Sequence, residues 1–153
     1  MTEAILIIAS IVVATSVAGI VMSKVGSFES TFSATSESQK NIMLTKLTIP
    51  YAIRNSTSTS IVEVWVKNIG VDPITSPTSM DVYFGPIDSI KRYQYDTAAT
   101  DDTWKFKTLP TIIQKSDVVQ IRITESSLAA STTYMVRITA PNGVYYDYIF
   151  STS

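Results

Sequence analysis

The sequence predicts a mainly β protein, in which a single N-terminal transmembrane α-helix leads into an immunoglobulin-like antiparallel β-sandwich. Three observations predict it. Residues Ile5 to Met22 read "ILIIASIVVATSVAGIVM" without one Lys, Arg, Asp or Glu. From Ile42 onward the apolar period changes from helical spacing to alternation. Turn-forming residues separate the alternating runs, and no long helical pattern interrupts them after Lys40.

The first element is the apolar helix. Ala4 to Met22 is 19 residues, and a helix of that length covers ~28 Å, close to the hydrocarbon thickness of a bilayer. It is apolar all round, whereas a core helix of so small a domain normally keeps a polar face. A cleaved signal peptide competes as a reading, because Ser16-Val17-Ala18 is a small-x-small triplet. Against it, Met1-Thr2-Glu3 carries no Lys or Arg, and the apolar run outlasts the triplet through Met22. The expectation is a retained anchor spanning residues 1–22. Its small residues Ala9, Ala14, Ala18 and Gly19 would let another helix approach closely, in a membrane or in a filament core. Lys24 alone argues for a cytoplasmic C-terminal side. The Ser/Thr-rich, Cys-free remainder argues for export, and the expected orientation is N-terminus in, C-terminus out.

The second element, residues 23–40, is a helical extension or linker. Val25, Phe28 and Phe32 continue one helical stripe. Ser33 to Ser38 is small and polar. A helix to about Phe32 and a softer junction before Lys40 are expected, with a stalk and a flexible linker as the two readings.

The third element, residues 41–153, is the β-sandwich, placed outside the cytoplasm. "LTIPYAI" puts Leu47, Ile49, Tyr51 and Ile53 on one face. "SIVEVWVKN" puts Val62, Val64 and Val66 opposite Ile61, Glu63, Trp65 and Lys67. "MDVYFG" alternates Met80, Val82 and Phe84 with Asp81 and Tyr83. "IKRYQYD" and "TWKFKT" read as shorter strands. "VVQIRIT" turns Val119, Ile121 and Ile123 inward, "TTYMVRIT" groups Tyr134, Val136 and Ile138, and "GVYYDYIF" sets Val144, Tyr146, Tyr148 and Phe150 against Tyr145, Asp147 and Ile149. These are seven or eight strands rich in β-branched and aromatic residues. The last two flank Pro141-Asn142-Gly143, where Asn-Gly is a strong hairpin signal.

Composition narrows the function. The chain has no Cys and no His, which excludes disulfides, thiolate metal sites and the commonest general base. A net charge of −1 offers no nucleic-acid footprint. Charged residues make up 16%, against roughly 25% in ordinary soluble domains. Ser and Thr, 20 of each, take their place. No catalytic, cofactor-binding or metal-binding residues are assigned, and an enzyme is not expected. Asp96, Asp101 and Asp102 in "YDTAATDD" could offer oxygen ligands to a cation, but a solvated hairpin loop is the simpler reading. Asn55-Ser56-Thr57 is a glycosylation sequon, relevant if the domain is exported.

The informative positions are apolar residues on polar faces. Val118 stands out from Gln120, Arg122 and Thr124; Ile61 and Trp65 stand among charges; Tyr145 faces away from the inward set of its strand. Together Val118, Trp65, Ile61 and Tyr145 are the candidate protein–protein interface, if strand order makes them neighbours.

An apolar helix joined directly to a hydroxyl-rich sandwich is the plan of archaeal type IV pilin-like proteins. On the stretch "ILIIASIVVATSVAG", Ile5 to Gly19, the chain most resembles the FlaG family of archaellum accessory proteins, related to FlaF. The resemblance implies a helix in the cell membrane and a sandwich in the pseudoperiplasm beneath the surface layer. There it would bind a FlaF-like partner or self-associate as a homo-oligomer, with surface-layer protein as a further partner, and hold the motor as part of a stator. Archaellins and adhesion pilins share the plan but carry a basic leader before the helix; Met1-Thr2-Glu3 favours the permanent anchor. A filament subunit and a secreted surface-binding module stay open as alternatives.

Overall fold

The computed structural model describes residues 2–152. The chain divides into two compact units, up to Lys40 and from Asn41. Helix α1 spans Thr2–Leu44 and buries none of its residues. It is long and apolar enough near the N-terminus to cross a membrane.

The helix does not end near Phe32. It passes through Ser33–Ser38, where weak helix formers suggested a break. No Gly or Pro occurs between Ser27 and Leu44, and hydroxyls bond back to the preceding turn. Ser27 donates to the Ser23 carbonyl at 3.0 Å, Thr31 to Ser27 and Thr35 to Thr31 at 2.9 Å. Inside the apolar run, Thr15 and Ser16 donate to Ile11 and Val12. A hydroxyl satisfied this way exposes no free donor to an apolar surrounding.

Among the described residues the second unit holds eight strands: β1 (Leu47–Arg54), β2 (Ile61–Asn68), β3 (Asp81–Pro86), β4 (Lys91–Tyr95), β5 (Thr103–Phe106), β6 (Val118–Thr124), β7 (Thr133–Thr139) and β8 (Tyr145–Ser151). They hydrogen-bond in the order β1-β2-β6-β5-β4-β3-β7-β8. All pairs are antiparallel except β4 with β5, where Gln94 meets Thr103 and Tyr95 meets Trp104. That short parallel seam joins two four-stranded halves. Their inward residues, among them Val64, Phe84, Tyr93, Trp104, Ile121 and Val136, form one core. Lettered in chain order with β4 as C′, the halves run A-B-E-D and C′-C-F-G, strand orders found in immunoglobulin-like sandwiches. Tyr134, at the start of the F-equivalent strand, accepts the Ala129 amide at 2.9 Å, five residues upstream, in the manner of a tyrosine corner. The β7–β8 hairpin turns at Gly143, whose φ of 88° suits a residue without Cβ.

Strand β1 departs from the alternation its sequence suggests. Leu47 and Ile49 are buried, but Tyr51 and Ile53 are exposed and Ala52 is inside. The register against β2 shifts between Thr48 and Tyr51. Pro50 lies there, and it cannot donate to a ladder. The resulting bulge turns the second half of the strand over.

Two polar devices brace the unit. Asn68 is fully buried and donates through Nδ2 to the Asp72 and Ile113 carbonyls at 2.9 and 3.2 Å, while its Oδ1 accepts the Gly70 amide. Glu125, just beyond β6, is buried beside β4. It accepts hydrogen bonds from Tyr93 and from the Ser127 amide and hydroxyl, and it pairs with Lys91 at 2.9 Å. Burial alone would raise its pKa; the bonds from Ser127, Tyr93 and Lys91 outweigh that and lower it from 4.5 to about 2.

Two measurements follow from these braces. A Cβ at Gly70 would lie 2.4 Å from the Leu44 carbonyl oxygen and 2.5 Å from the Lys46 nitrogen, both backbone atoms. Gly70→Ala is expected to cost roughly 1–3 kcal/mol in urea unfolding; an unchanged midpoint would show that the loop yields freely. Glu125 has a depressed folded pKa, so its stabilisation is complete above pH 4.5 and is lost as pH falls toward about 2. Glu125→Gln should therefore destabilise the unit at pH 7 by up to ~3 kcal/mol, and the gap from wild type should close across that acid window. A gap independent of pH would rule the charge network out as its source.

Candidate interaction surface

The outward face of β1, β2 and β6 collects the unexpected apolar residues. Trp65 pairs with Tyr51 on β1 and with Gln120 on β6, and Val118 pairs with Lys67. Trp65 and Val118 are thus diagonal neighbours across one ladder. Tyr51 stacks obliquely on Trp65, ring centroids 5.4 Å apart. Trp65, Val118, Val119 and Gln120 line an open groove of about 520 Å³, completed by Lys107, Thr108 and Pro110 of the segment after β5. Val118 is 52% exposed.

One polar atom of this groove stands out. The Gln120 amide nitrogen is buried without a hydrogen-bond partner among the described residues. A buried donor left unpaired is costly. The residue that carries it also lines the groove.

Ile61 lies on the same face of β2 but farther along. Glu63 intervenes, held by Arg122 at 3.0 Å across the ladder. Exposed Ile53 is Ile61's diagonal neighbour. The apolar residues of this face are therefore continuous along β1 through Tyr51 and Ile53, with an ion pair set among them on β2 and β6. Tyr145 belongs elsewhere. It opens β8, in the other half, and the Arg137 guanidinium sits 4.6 Å over its ring. Arg137 also holds Asp147 through bonds of 2.6 and 2.8 Å. Val118 and Trp65 are therefore brought together, Ile61 lies nearby, and Tyr145 is on a separate surface.

Tyr51 and Ile53 are the residues that alternation missed, since it assigned them inward. Pro50 was the available signal, because proline inside a strand marks a bulge or an edge.

On α1, Ala14 and Ala18 share one side, being four residues apart. Gly19 is a further ~100° round, and Ala9 is on the opposite side. All four are exposed.

The acidic cluster reorganises. Asp96 caps its own turn, accepting the Ala98 amide at 2.8 Å. Glu125 replaces it beside Asp101 and Asp102, the three offering oxygens within 4.8 Å of one another. Lys91 supplies the positive charge, 2.5 Å from Asp102 and 2.9 Å from Glu125. Asp101 is occupied by Ser126, whose hydroxyl and amide hold its pKa down. The cluster acts as a brace between β4 and β6.

The sequon residue Asn55 sits in the β1–β2 turn, accepting the Thr57 and Ser58 amides on its Oδ1.

Comparison with known proteins agrees with this architecture. The model of the archaeal-type flagellin family matches residues 1–150. Among solved structures, the archaellum periplasmic stator protein FlaG from Sulfolobus acidocaldarius is 30% identical, with a TM-score of 0.63, over 70% of this chain and 100% of that one. The complex of FlaF and FlaG from the same organism matches at 31% identity and a TM-score of 0.60, over 71% of this chain and 90% of that one. The archaeal flagellum of Methanospirillum hungatei strain JF1 shares the fold at a TM-score of 0.70 and 15% identity, over 99% of this chain and 92% of that one. No curated protein matches. The chain belongs to the archaeal-type flagellin family and is a relative of the archaellum stator protein FlaG.

Proposed function

We propose that this protein is a membrane-anchored structural component of an archaellum stator. The apolar part of α1 lies in the cell membrane, N-terminus in the cytoplasm, and the β unit lies in the pseudoperiplasm. The observation that carries this reading is the 30% identity to FlaG along the whole of that solved chain. The groove at Trp65 and Val118 supports a contact role. It combines an exposed aliphatic, a large aromatic and an unpaired donor, the make-up of an interface core rather than of ordinary surface. A FlaF-like protein is the favoured occupant, because a FlaG relative is solved in complex with FlaF. Self-association and a surface-layer contact are further partners of the same kind. The role requires no catalysis.

A filament subunit is the second reading, favoured by the shared fold with the Methanospirillum hungatei flagellum along 99% of the chain. The two readings diverge on the native N-terminus and on the phenotype of loss. Intact-mass measurement of the native protein separates them: a mature chain whose helix starts at a processed residue would favour the filament, and an unprocessed helix the anchor. Cells lacking a stator component should still build filaments that fail to rotate, whereas cells lacking a filament subunit build none.

Val118→Lys puts a charge in the groove. It is expected to weaken binding of the FlaF-like protein by about tenfold or more, in line with an interface hot spot. Sedimentation and a binding titration on the full chain in detergent would read this. Unchanged partner binding and unchanged self-association would remove the groove from the interface.

A further inference from the structure

Beyond Met22, α1 stops being apolar all round and keeps only a stripe. Val21, Val25, Phe28 and Phe32 recur at alternating steps of four and three, the 3.5-residue period of a coiled-coil seam. Phe28 and Phe32 are 70% and 67% exposed and stack on each other at 6.3 Å. Met22 ends the apolar run, so Phe28 lies ~9 Å and Phe32 ~15 Å farther along the helix axis, where water would meet both rings. Two stacked phenylalanines on a hydroxyl-coated helix need a cover.

The same period continues backward. Ala18, Ala14, Ile11 and Ile7 fall on the seam, so two of the small residues lie where another backbone would approach most closely. No charge interrupts the seam from Ile7 to Phe32.

The charges flank it instead. With Val25 and Phe32 at a and Phe28 at d, Lys24 takes a g position and Glu29 the following e position. Between Glu3 and Glu37 these are the only charged residues of the helix. In a parallel, in-register pair, g of one helix faces the following e of the other, so Lys24 meets Glu29 of the second copy twice over. An antiparallel pair would bring g to g and e to e, and two anchors of one orientation exclude it.

We infer that α1 pairs with α1 of a second copy of this chain, parallel and in register, through the Val21-Val25-Phe28-Phe32 seam clasped by Lys24 and Glu29. Small residues set the approach in the anchor, and the aromatic pair closes the seam above it. The inference rests on the anchored reading twice, in setting Phe28 and Phe32 beyond the hydrocarbon and in excluding the antiparallel pair.

The chain is Cys-free, so a single introduced cysteine reports its own position. In the full chain, reconstituted in nanodiscs, Val25→Cys at a should form a disulfide dimer on mild oxidation. Ser30→Cys, on the outer side at f, should not, because its two Cα atoms would lie beyond the ~7 Å that a disulfide tolerates. In the Val25→Cys background, Lys24→Glu and Glu29→Lys should each lower the dimer yield about threefold, and the double exchange should restore it. Equal cross-linking at 25 and 30, no cross-linking at 25, or a double exchange no better than the single ones would overturn the in-register pair. Membrane retention scored on the same samples reports anchoring separately, so failure of the anchor and failure of the pairing are told apart.

Discussion

A Cys-free sandwich of this size has to be closed by side chains, and the closure centres on Glu125. Among the described residues, the strands of its two halves hydrogen-bond to each other only along the short β4/β5 seam. Glu125 sits where β6 leaves that seam and takes hydrogen bonds from Tyr93 and Lys91 of β4. A buried carboxylate is tolerated only when its lone pairs are used. Here Ser127 and Lys91 complete the set, and burial raises the Tyr93 pKa so that its hydroxyl stays a donor. Where an immunoglobulin domain has a disulfide across its sheets, this unit relies on a charged clasp, the Tyr134 corner and the Asn68 staple.

That closure frees the outer faces for contact. Polar devices gather at turns and at the seam, and the Glu63–Arg122 pair is the ion pair set among the apolar residues of the β1-β2-β6 face. The bulge at Pro50 then adds Tyr51 and Ile53 to them. The groove exists because a closed core can spare Trp65 and Val118.

Much of this was legible in the sequence, and the failures have local causes. The strands were readable because one face of each is buried, so alternation is enforced residue by residue. Alternation failed in β1, where Pro50 broke the ladder. Val118 could be picked out as the one apolar residue on a polar face, but its contact with Trp65 depends on register, which no local pattern encodes. Tyr145 looked equivalent to them until strand order put it in the other half beside Arg137. The acidic cluster was half visible: Asp101 and Asp102 are adjacent in sequence, whereas Glu125 and Lys91 reach them only through the fold. The helix outran its expected end because no Gly or Pro interrupts it between Ser27 and Leu44, and the small propensity cost of Ser and Thr does not by itself end a helix.

The helix also bears on the choice between anchor and filament core. A helix packed on every side by neighbours in a filament would be served by apolar residues all round. Up to Met22 α1 meets that description, and a bilayer asks the same of it. Beyond Met22 the two environments part. Lys24, Glu29, Glu37 and Lys40 enter within a few turns, and hydroxyls fill most remaining positions outside the Val25-Phe28-Phe32 stripe. A segment apolar on one side and hydrated on the others asks for a single neighbour, not a ring of them. That pattern fits a stalk leaving the membrane in company with one other helix better than it fits the centre of a bundle. The groove on the β unit, proposed above as the site of a partner, would add a second contact independent of the helix.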